Sequence, residues 1–197
     1  MPATNPGHIL LPIARAAIAS ALGRHVSAPE TGPWLQEPGA CFVSLTQQGE
    51  LRGCIGTLEA RRPLLADVKA NARAAAFQDP RFSPLQVQEL DDTEIEVSLL
   101  SSLQAMHFSG QADALAQLRP GIDGVLFEYE HFRSTFLPQV WEQLPTASAF
   151  MAHLKRKAGL PPDFWAAGVR MQRYTISNWK ETDPLPTAHA ANGQREA

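Results

Sequence analysis

The chain has 197 residues, of which 44% are hydrophobic and 19% are charged, and this is the composition of an ordinary globular protein. Seventeen Lys and Arg against twenty Asp and Glu give a net charge of -3, which argues against a phosphate-binding surface for nucleic acid. Two cysteines are too few for a disulfide framework and match no zinc or iron–sulfur spacing. We therefore expect a cytoplasmic protein, with no nucleic-acid partner and no metal site indicated by spacing.

The first predicted element is an amphipathic helix at residues 9–22, which Gly23 ends. Pro12, Arg15 and Ser20 interrupt its apolar residues. The stretch is too short and too polar to cross a membrane, so no membrane partner is expected.

A hairpin and a helix are predicted next. The strands at residues 41–46 and 51–58 flank a Gln-Gln-Gly-Glu turn. Pro63 can open a helix because its missing N–H costs nothing in the first turn, and Asp79-Pro80 stops that helix. Alternating polar and apolar residues then predict a strand at 94–101 with one polar face.

The second half of the chain repeats this order of elements. A short helix, two hairpin strands, a helix capped by Thr146 and one last strand are predicted at 111–118, 125–129, 132–137, 147–158 and 169–179, with Ser109 as the cap of the short helix. A hairpin followed by a helix therefore occurs twice, which is a weak sign of internal duplication and is equally well explained by coincidence. Residues 180–197 are polar and aperiodic, which predicts a disordered tail.

The segment Leu51-Arg-Gly-Cys-Ile-Gly56 carries the strongest local signal for chemistry. Period-two geometry places Arg52, Cys54 and Gly56 on one face of the strand, so a cation lies beside a thiol and can stabilise a thiolate. Gly53 and Gly56 leave room for a ligand or another backbone to approach. The alternative is a buried, inert cysteine, with the glycines present for packing.

Three further groups of polar residues are candidates for the same site. Asn71 lies late in the helix that Pro63 opens, and Asp79 and Arg81 lie on the turn after it. These residues either line a site beside the cysteine or cap the helix and brace its turn. Arg133 belongs to a basic hairpin that binds an anion or merely protects a sheet edge.

The third group lies on the polar face of the later strand. Glu96 and Ser98 are two residues apart and share that face. Glu96 is a candidate general base or a partner for Arg52 or Arg81, and the alternative is a solvated sheet face.

Several strings of the sequence resemble the AMMECR-type domain, whose bacterial and archaeal branch is called AmmeMemoRadiSam system protein A. They are Leu-Arg-Gly-Cys-Ile-Gly at 51–56, Asp-Pro-Arg-Phe at 79–82, Glu-Val-Ser-Leu-Leu at 96–100, Phe-Leu-Pro-Gln-Val-Trp at 136–141 and Lys-Ala-Gly-Leu-Pro at 157–161. These motifs follow the order of the family, and the resemblance covers residues 8–179, which predicts a single domain over that range.

The resemblance implies an α+β fold of antiparallel sheets and packed helices, arranged as a larger and a smaller lobe. It implies that Arg52, Gly53, Cys54, Ile55 and Gly56 form the functional signature. It also implies two partners, a Memo-like protein and a radical S-adenosylmethionine enzyme, because proteins of this type are encoded with or fused to them. It identifies no cofactor for the chain itself.

Two functions remain open at this stage. In the first, Cys54 is a nucleophile, Arg52 stabilises its thiolate or holds an anionic substrate, and Glu96 or Asp79 positions a proton. In the second, the chain is a non-catalytic binding module or scaffold that presents a groove beside Arg52 and Arg81 to a partner protein. A role in RNA binding is the least favoured, because the net charge is negative.

Overall fold

A computed structural model describes residues 5–182, and it has the expected α+β architecture. Two antiparallel sheets of four strands form two lobes, and a two-stranded ribbon accompanies the first. The helices are α1 (Gly7–Ala21), α2 (Leu64–Phe77), α3 (Gln111–Ala116) and α4 (Ala147–Lys157). The strands are β1 (Pro38–Gly39), β2 (Cys41–Gln47), β3 (Glu50–Gly56), β4 (Arg62–Pro63), β5 (Glu94–Leu100), β6 (Gln104–Ala105), β7 (Gly124–Tyr129), β8 (Phe132–Phe136), β9 (Arg170–Tyr174) and β10 (Ile176–Lys180).

The larger lobe is a sheet in the order β10-β5-β2-β3, with α1 and α2 packed on one face. Alternate residues of the central strands, such as Val43 and Val97, are fully buried against the helices. The apolar stripe of α1 is buried against the same face of the sheet. Pro12 lies in the second turn of the helix, whereas the sequence placed it in the first turn. This arrangement leaves the opposite face of the sheet to the polar residues of the same strands.

The smaller lobe is a sheet in the order β6-β9-β7-β8, packed against α3 and α4. Its core contains Phe127 and Phe150, and the ring of Trp141 stacks on Phe150 with 3.9 Å between centroids. Thr146 caps α4 as predicted, by accepting a hydrogen bond from the N–H of Ala149. Ser109 does not cap α3, because its N–H and hydroxyl donate to the carboxylate of Asp113 instead.

The two lobes have the same topology, which supports the duplication suggested by the sequence. Each contains a helix, a hairpin, a second helix and a strand that returns beside the first hairpin strand. The fourth strand of each sheet is exchanged, since β6 follows β5 but pairs with β9, and β10 follows β9 but pairs with β5. The single last strand predicted at 169–179 is therefore wrong: the chain passes from one sheet to the other at Thr175.

The junction between the lobes has its own small core. Ala40, Leu100 and Tyr174 are buried there. The Tyr174 hydroxyl lies 2.9 Å from Thr135 Oγ1 and donates to the carbonyl of Phe136 at 3.1 Å. The exchanged strands and this junction tie the lobes together.

The described chain continues past the predicted start of the tail. Lys180 closes β10, and Glu181 forms a bidentate ion pair with Arg15 of α1. The rest of the predicted tail, residues 183–197, lies outside the described residues. Within residues 5–182, no helix has the length and apolar character needed to cross a membrane.

Candidate functional site

The candidate site lies on the outer face of the larger sheet, the face away from α1 and α2. One residue from each strand forms a row across this face: Cys54 lies opposite Ser44, Ser44 opposite Glu96, and Glu96 opposite Lys180. We call these four residues the polar row. Ser44 and Cys54 form a pair without backbone hydrogen bonds between them, which brings side chains close together. The Ser44 hydroxyl donates to Cys54 Sγ at 3.2 Å.

Glu96 is the centre of the polar contacts on this face. Its Oε1 accepts from Ser98 Oγ at 3.4 Å and from Asn178 Nδ2 at 3.5 Å. Its Oε2 lies 3.3 Å from Lys180 Nζ. Glu96 and Ser98 share one face, as the alternation predicted, and the strand pairing places Cys54 on that face with Ser44 between the carboxylate and the thiol.

The backbone of Cys54 is held by the turn that follows α2. Its N–H and C=O point away from β2, and Asp79 Oδ2 accepts the N–H at 2.8 Å while Arg81 Nη2 donates to the C=O at 3.3 Å. Asp79 and Arg81 thus take the place of a neighbouring strand at the edge of the sheet. The turn is therefore a structural brace, one of the two predicted alternatives, and it lies directly beside Cys54.

The electrostatics of this turn exclude Asp79 as a general base. Hydrogen bonds from Arg81 hold the pKa of the buried Asp79 carboxyl far below its usual range, and the Cys54 N–H contributes to the same effect. The pair with Asp79 raises the pKa of Arg81, and Arg81 contacts the backbone carbonyl of Cys54. The cation next to the cysteine is therefore Arg81.

Arg52 does not take the position that the sequence predicted. A bulge between Leu45 and Thr46 pairs Thr46 with Leu51 and leaves Arg52 without a partner on β2. Nε and Nη2 of Arg52 bind both carboxylate oxygens of Glu89, and its Nη1 donates to the carbonyl of Ser83. Strict alternation was the wrong assumption here, because the bulge shifts the register and Arg52 braces the edge of the sheet instead.

Gly53 and Gly56 are required by packing on opposite faces of β3. A Cβ at Gly53 would lie 2.2 Å from the carbonyl oxygen of Ala75, so α2 approaches the strand backbone directly at this point. A Cβ at Gly56 would lie 2.3 Å from the ring of Phe42, which covers that glycine on the outer face. The glycines beside Cys54 therefore admit a helix and an aromatic ring.

Asn71 belongs to a separate buried cluster behind the sheet. Its Nδ2 donates to the carbonyl of Cys41 at 3.0 Å and to Asp67 Oδ2 at 2.9 Å. Asp67 also accepts from the N–H of Cys41 and from Arg62. Burial raises the pKa of the Cys41 thiol. This cluster ties α2 to β2, so Asn71 has a structural role away from Cys54.

Arg133 lies in the smaller lobe and bridges the two lobes. It forms ion pairs with Glu59, which follows β3, and with Glu128 at 3.2 Å. Its charge is therefore neutralised by two carboxylates. Among the described residues, no hydrogen bond joins a histidine to Cys54, and no cluster of His, Cys, Asp and Glu has the arrangement of a metal site.

Three residues of this face were not singled out from the sequence. Ser44 is the polar member of an alternating strand, and this position was the available signal. Asn178 and Lys180 belong to β10, whose place beside β5 depends on the strand exchange between lobes. Lys180 was expected in a disordered tail. Only the tertiary fold brings these residues next to Glu96.

Comparison with known proteins matches the chain, and not the site itself, to a known family. The family model AMMECR1 matches residues 11–179. Protein MJ0810 of Methanocaldococcus jannaschii is 36% identical over 180 residues, which cover 87% of this chain and 88% of that protein. A protein of Methanothermobacter thermautotrophicus is 37% identical over 187 residues, 90% of this chain and 95% of that one.

A solved structure supports the fold as well. The uncharacterised protein PH0010 from Pyrococcus horikoshii superposes with a TM-score of 0.79 at 31% identity, and the match covers 89% of this chain and 91% of that one. The names of these relatives state no activity. The site must therefore be interpreted from its own geometry.

Proposed function

This chain belongs to the AMMECR1 family, and on that premise we propose that it is a component of a modification pathway whose chemistry is centred on Cys54. The partners implied by the sequence resemblance, a Memo-like protein and a radical S-adenosylmethionine enzyme, complete the pathway. The observation that carries the proposal is the position of Cys54. The cysteine is partly exposed on the outer face and receives a hydrogen bond from Ser44.

In this proposal the Cys54 thiolate attacks an electrophilic carbon of the substrate: an S–C bond forms, the bond from that carbon to its leaving group breaks, and the leaving group departs with the bonding electron pair. The thiolate is the reactive form of cysteine, and the cation that contacts Cys54 is Arg81, whose Nη2 donates to the Cys54 carbonyl at 3.3 Å. Ser44 donates to the sulfur and orients it, and the proton that leaves the thiol passes across Ser44 to Glu96, which pairs with Ser44 and lies two strands from Cys54. This arrangement replaces the Arg52 of the sequence-based hypothesis by Arg81 and removes Asp79 from proton transfer.

A non-catalytic binding module is the second candidate, and the pairing of the cations favours it. Arg52, Arg81 and Arg133 are each bound to a carboxylate, so none offers an uncompensated charge to an anionic substrate. A surface built in this way presents polar and apolar contacts to a protein without acting on it. In that case Cys54 is a packing residue of the interface.

One reconstitution separates the two candidates. The protein is incubated with the Memo-like protein, the radical enzyme and S-adenosylmethionine under anaerobic, reducing conditions, and then analysed by intact-mass spectrometry. A mass increase at Cys54 that is absent from Cys54→Ser supports the nucleophile. A stable complex without a mass increase, unchanged in Cys54→Ser, supports the binding module. If the reconstitution gives neither a complex nor a mass increase, the proposed pathway is contradicted.

A further inference from the structure

The two edges of the larger sheet differ in how their backbone groups are satisfied. At the β3 edge, Asp79 and Arg81 bind the outward N–H and C=O of Cys54. Such a cap prevents another strand from pairing at that edge. At Ile176 and Asn178 of β10, no residue in the described range 5–182 caps the backbone in this way.

The hydrogen-bond pattern shows which groups of β10 point outward. The N–H of Glu181 donates to the carbonyl of Ile95, and the N–H of Ser101 donates to the carbonyl of Thr175. Because such pairs alternate along antiparallel strands, the backbone of Ile176 and Asn178 faces away from β5. In the described part of the chain, nothing hydrogen-bonds to these outward N–H and C=O groups.

A cleft of about 570 Å³ between the lobes lies against this strand. Thr175, Ile176 and Asn178 line one side, and residues from two loops of the smaller lobe, including Ile122 and Pro145, line the other. Ile122 is 50% exposed, the highest value among the exposed large apolar side chains of the described residues, and adds apolar surface to the cleft.

The lining of the cleft limits the charge of its ligand. Glu142 is the one charged residue among the described residues that line it. A phosphate or another anion would find no cation there, whereas a neutral or basic ligand is compatible with the carboxylate. Ile176 and Asn178 each direct one N–H and one C=O outward, next to exposed apolar surface. An extended peptide binds to such an edge through backbone hydrogen bonds and apolar contacts.

We propose that this cleft binds an extended, neutral or basic peptide segment of the protein on which the Cys54 site acts, as an added strand beside β10. The proposal rests on the proposed function and names its substrate class. Cys54, Ser44, Glu96 and Lys180 span the sheet to this edge. An added strand lies four strand spacings, about 19 Å, from Cys54, a distance that about six extended residues can cover.

The test uses a phage-displayed library of random 12-residue peptides selected on the full chain. Asn178→Pro removes the outward N–H and leaves the bonds between β10 and β5 in place, and proline is tolerated on edge strands. Asn178→Ala is the matched control, since it keeps the N–H and changes only the side chain. Selected peptides should bind Asn178→Pro at least tenfold more weakly than the wild type, and Asn178→Ala within about twofold.

Hydrogen exchange locates the bound peptide. The amides of Ile176 and Asn178 should exchange more slowly with peptide bound, and N-methylation of alternate peptide residues should abolish binding. The inference is overturned if no peptide is enriched, or if selected peptides bind Asn178→Pro as tightly as the wild type. A dimer that dissociates in Asn178→Pro would assign the edge to a second copy of this chain and would overturn the peptide assignment.

The same selection on Cys54→Ser separates this inference from the proposed function. Peptide binding through the β10 edge needs no thiol, so Cys54→Ser should select the same peptides. If binding persists while the reconstitution gives no adduct at Cys54, the nucleophile fails and the cleft stands. If an adduct forms while no peptide binds, the cleft assignment fails alone.

Discussion

Replacing Asp79 by asparagine should loosen the edge of the larger sheet at Cys54. The Asp79 carboxylate is buried and accepts hydrogen bonds from Cys54 N at 2.8 Å and from Arg81 N, Nε and Nη2 at 3.1, 2.9 and 2.6 Å. Asparagine keeps one acceptor oxygen, loses the charge and places an NH₂ group against the guanidinium. The substitution therefore weakens the clamp without removing side-chain volume.

The size of the effect follows from the partners. A hydrogen bond to a charged group contributes about 1.5–3 kcal/mol, and the clamp contains several that act together. Arg81 is 54% exposed at its side chain, so water can solvate it again once the ion pair is broken. We expect Asp79→Asn to lower the free energy of unfolding by about 2–3 kcal/mol at pH 7.

The loss should also depend on pH. The folded-state pKa of Asp79 is depressed, so its ionised form stabilises the fold fully at pH values above the unfolded-state pKa of about 3.9. This stabilisation is lost progressively as the pH falls below that value. The variant carries no titrating group at this position. The difference between wild type and Asp79→Asn should therefore shrink steadily below about pH 4.

Urea unfolding at pH 7 and at pH 3 measures both quantities. Asp91→Asn is the control, because Asp91 forms an exposed ion pair with Arg24 at 2.7 Å and should cost less than about 1 kcal/mol. A loss for Asp79→Asn no larger than that of the control, or a difference that does not shrink at low pH, would refute the clamp.

Three further predictions follow from the same structure. Gly53→Ala should destabilise the fold by about 2–3 kcal/mol, measured by urea unfolding, because its Cβ meets a helix carbonyl oxygen at 2.2 Å. Arg81→Met should slow alkylation of Cys54 at pH 7 several-fold, whereas Arg52→Met should not. Burial raises the pKa of Tyr174 to about 12, so its absorbance should titrate near that pH, and stability should fall as the pH rises above about 10.

Each of these has a control in the same chain. Gly110→Ala places a Cβ in open space on extended backbone and should cost less than about 1 kcal/mol. Arg52→Met serves as the control for Arg81→Met, and equal effects on Cys54 would contradict the assignment of Arg81. Tyr174→Phe should remove the absorbance change near pH 12 and thereby assign it.

Local signals were sufficient for most elements of the fold. Alternation predicted β5, turn signals predicted the hairpin strands β2, β3, β7 and β8, and the polar residue Thr146 identified the start of α4. The exchange of β6 and β10 was not predictable. The residues on both sides of Thr175 form one continuous extended pattern in the sequence, but β9 before it and β10 after it belong to different sheets. Strand partners depend on contacts between distant parts of the chain.

The site was predictable only where alternation holds. Glu96 and Ser98 share a face as expected, but a bulge leaves Arg52 without a partner on β2, and its guanidinium binds Glu89. Asn71 does not lie beside Cys54. Its position within α2 directs its side chain to the Cys41 carbonyl, whereas Asp79 and Arg81 lie on the turn after the helix. Arg81 reached the cysteine through a turn whose geometry no periodicity describes.

The most direct test of the central claim is the rate of alkylation of the two cysteines in the native protein at pH 7, followed site by site by mass spectrometry. Cys41 is fully buried and provides an internal control for unfolding. We expect iodoacetamide to label Cys54 at least tenfold faster than Cys41, because Cys54 is partly exposed and Cys41 is buried. If both cysteines react only as the protein unfolds, and at the same rate, Cys54 is an inert packing residue and the proposed chemistry is wrong.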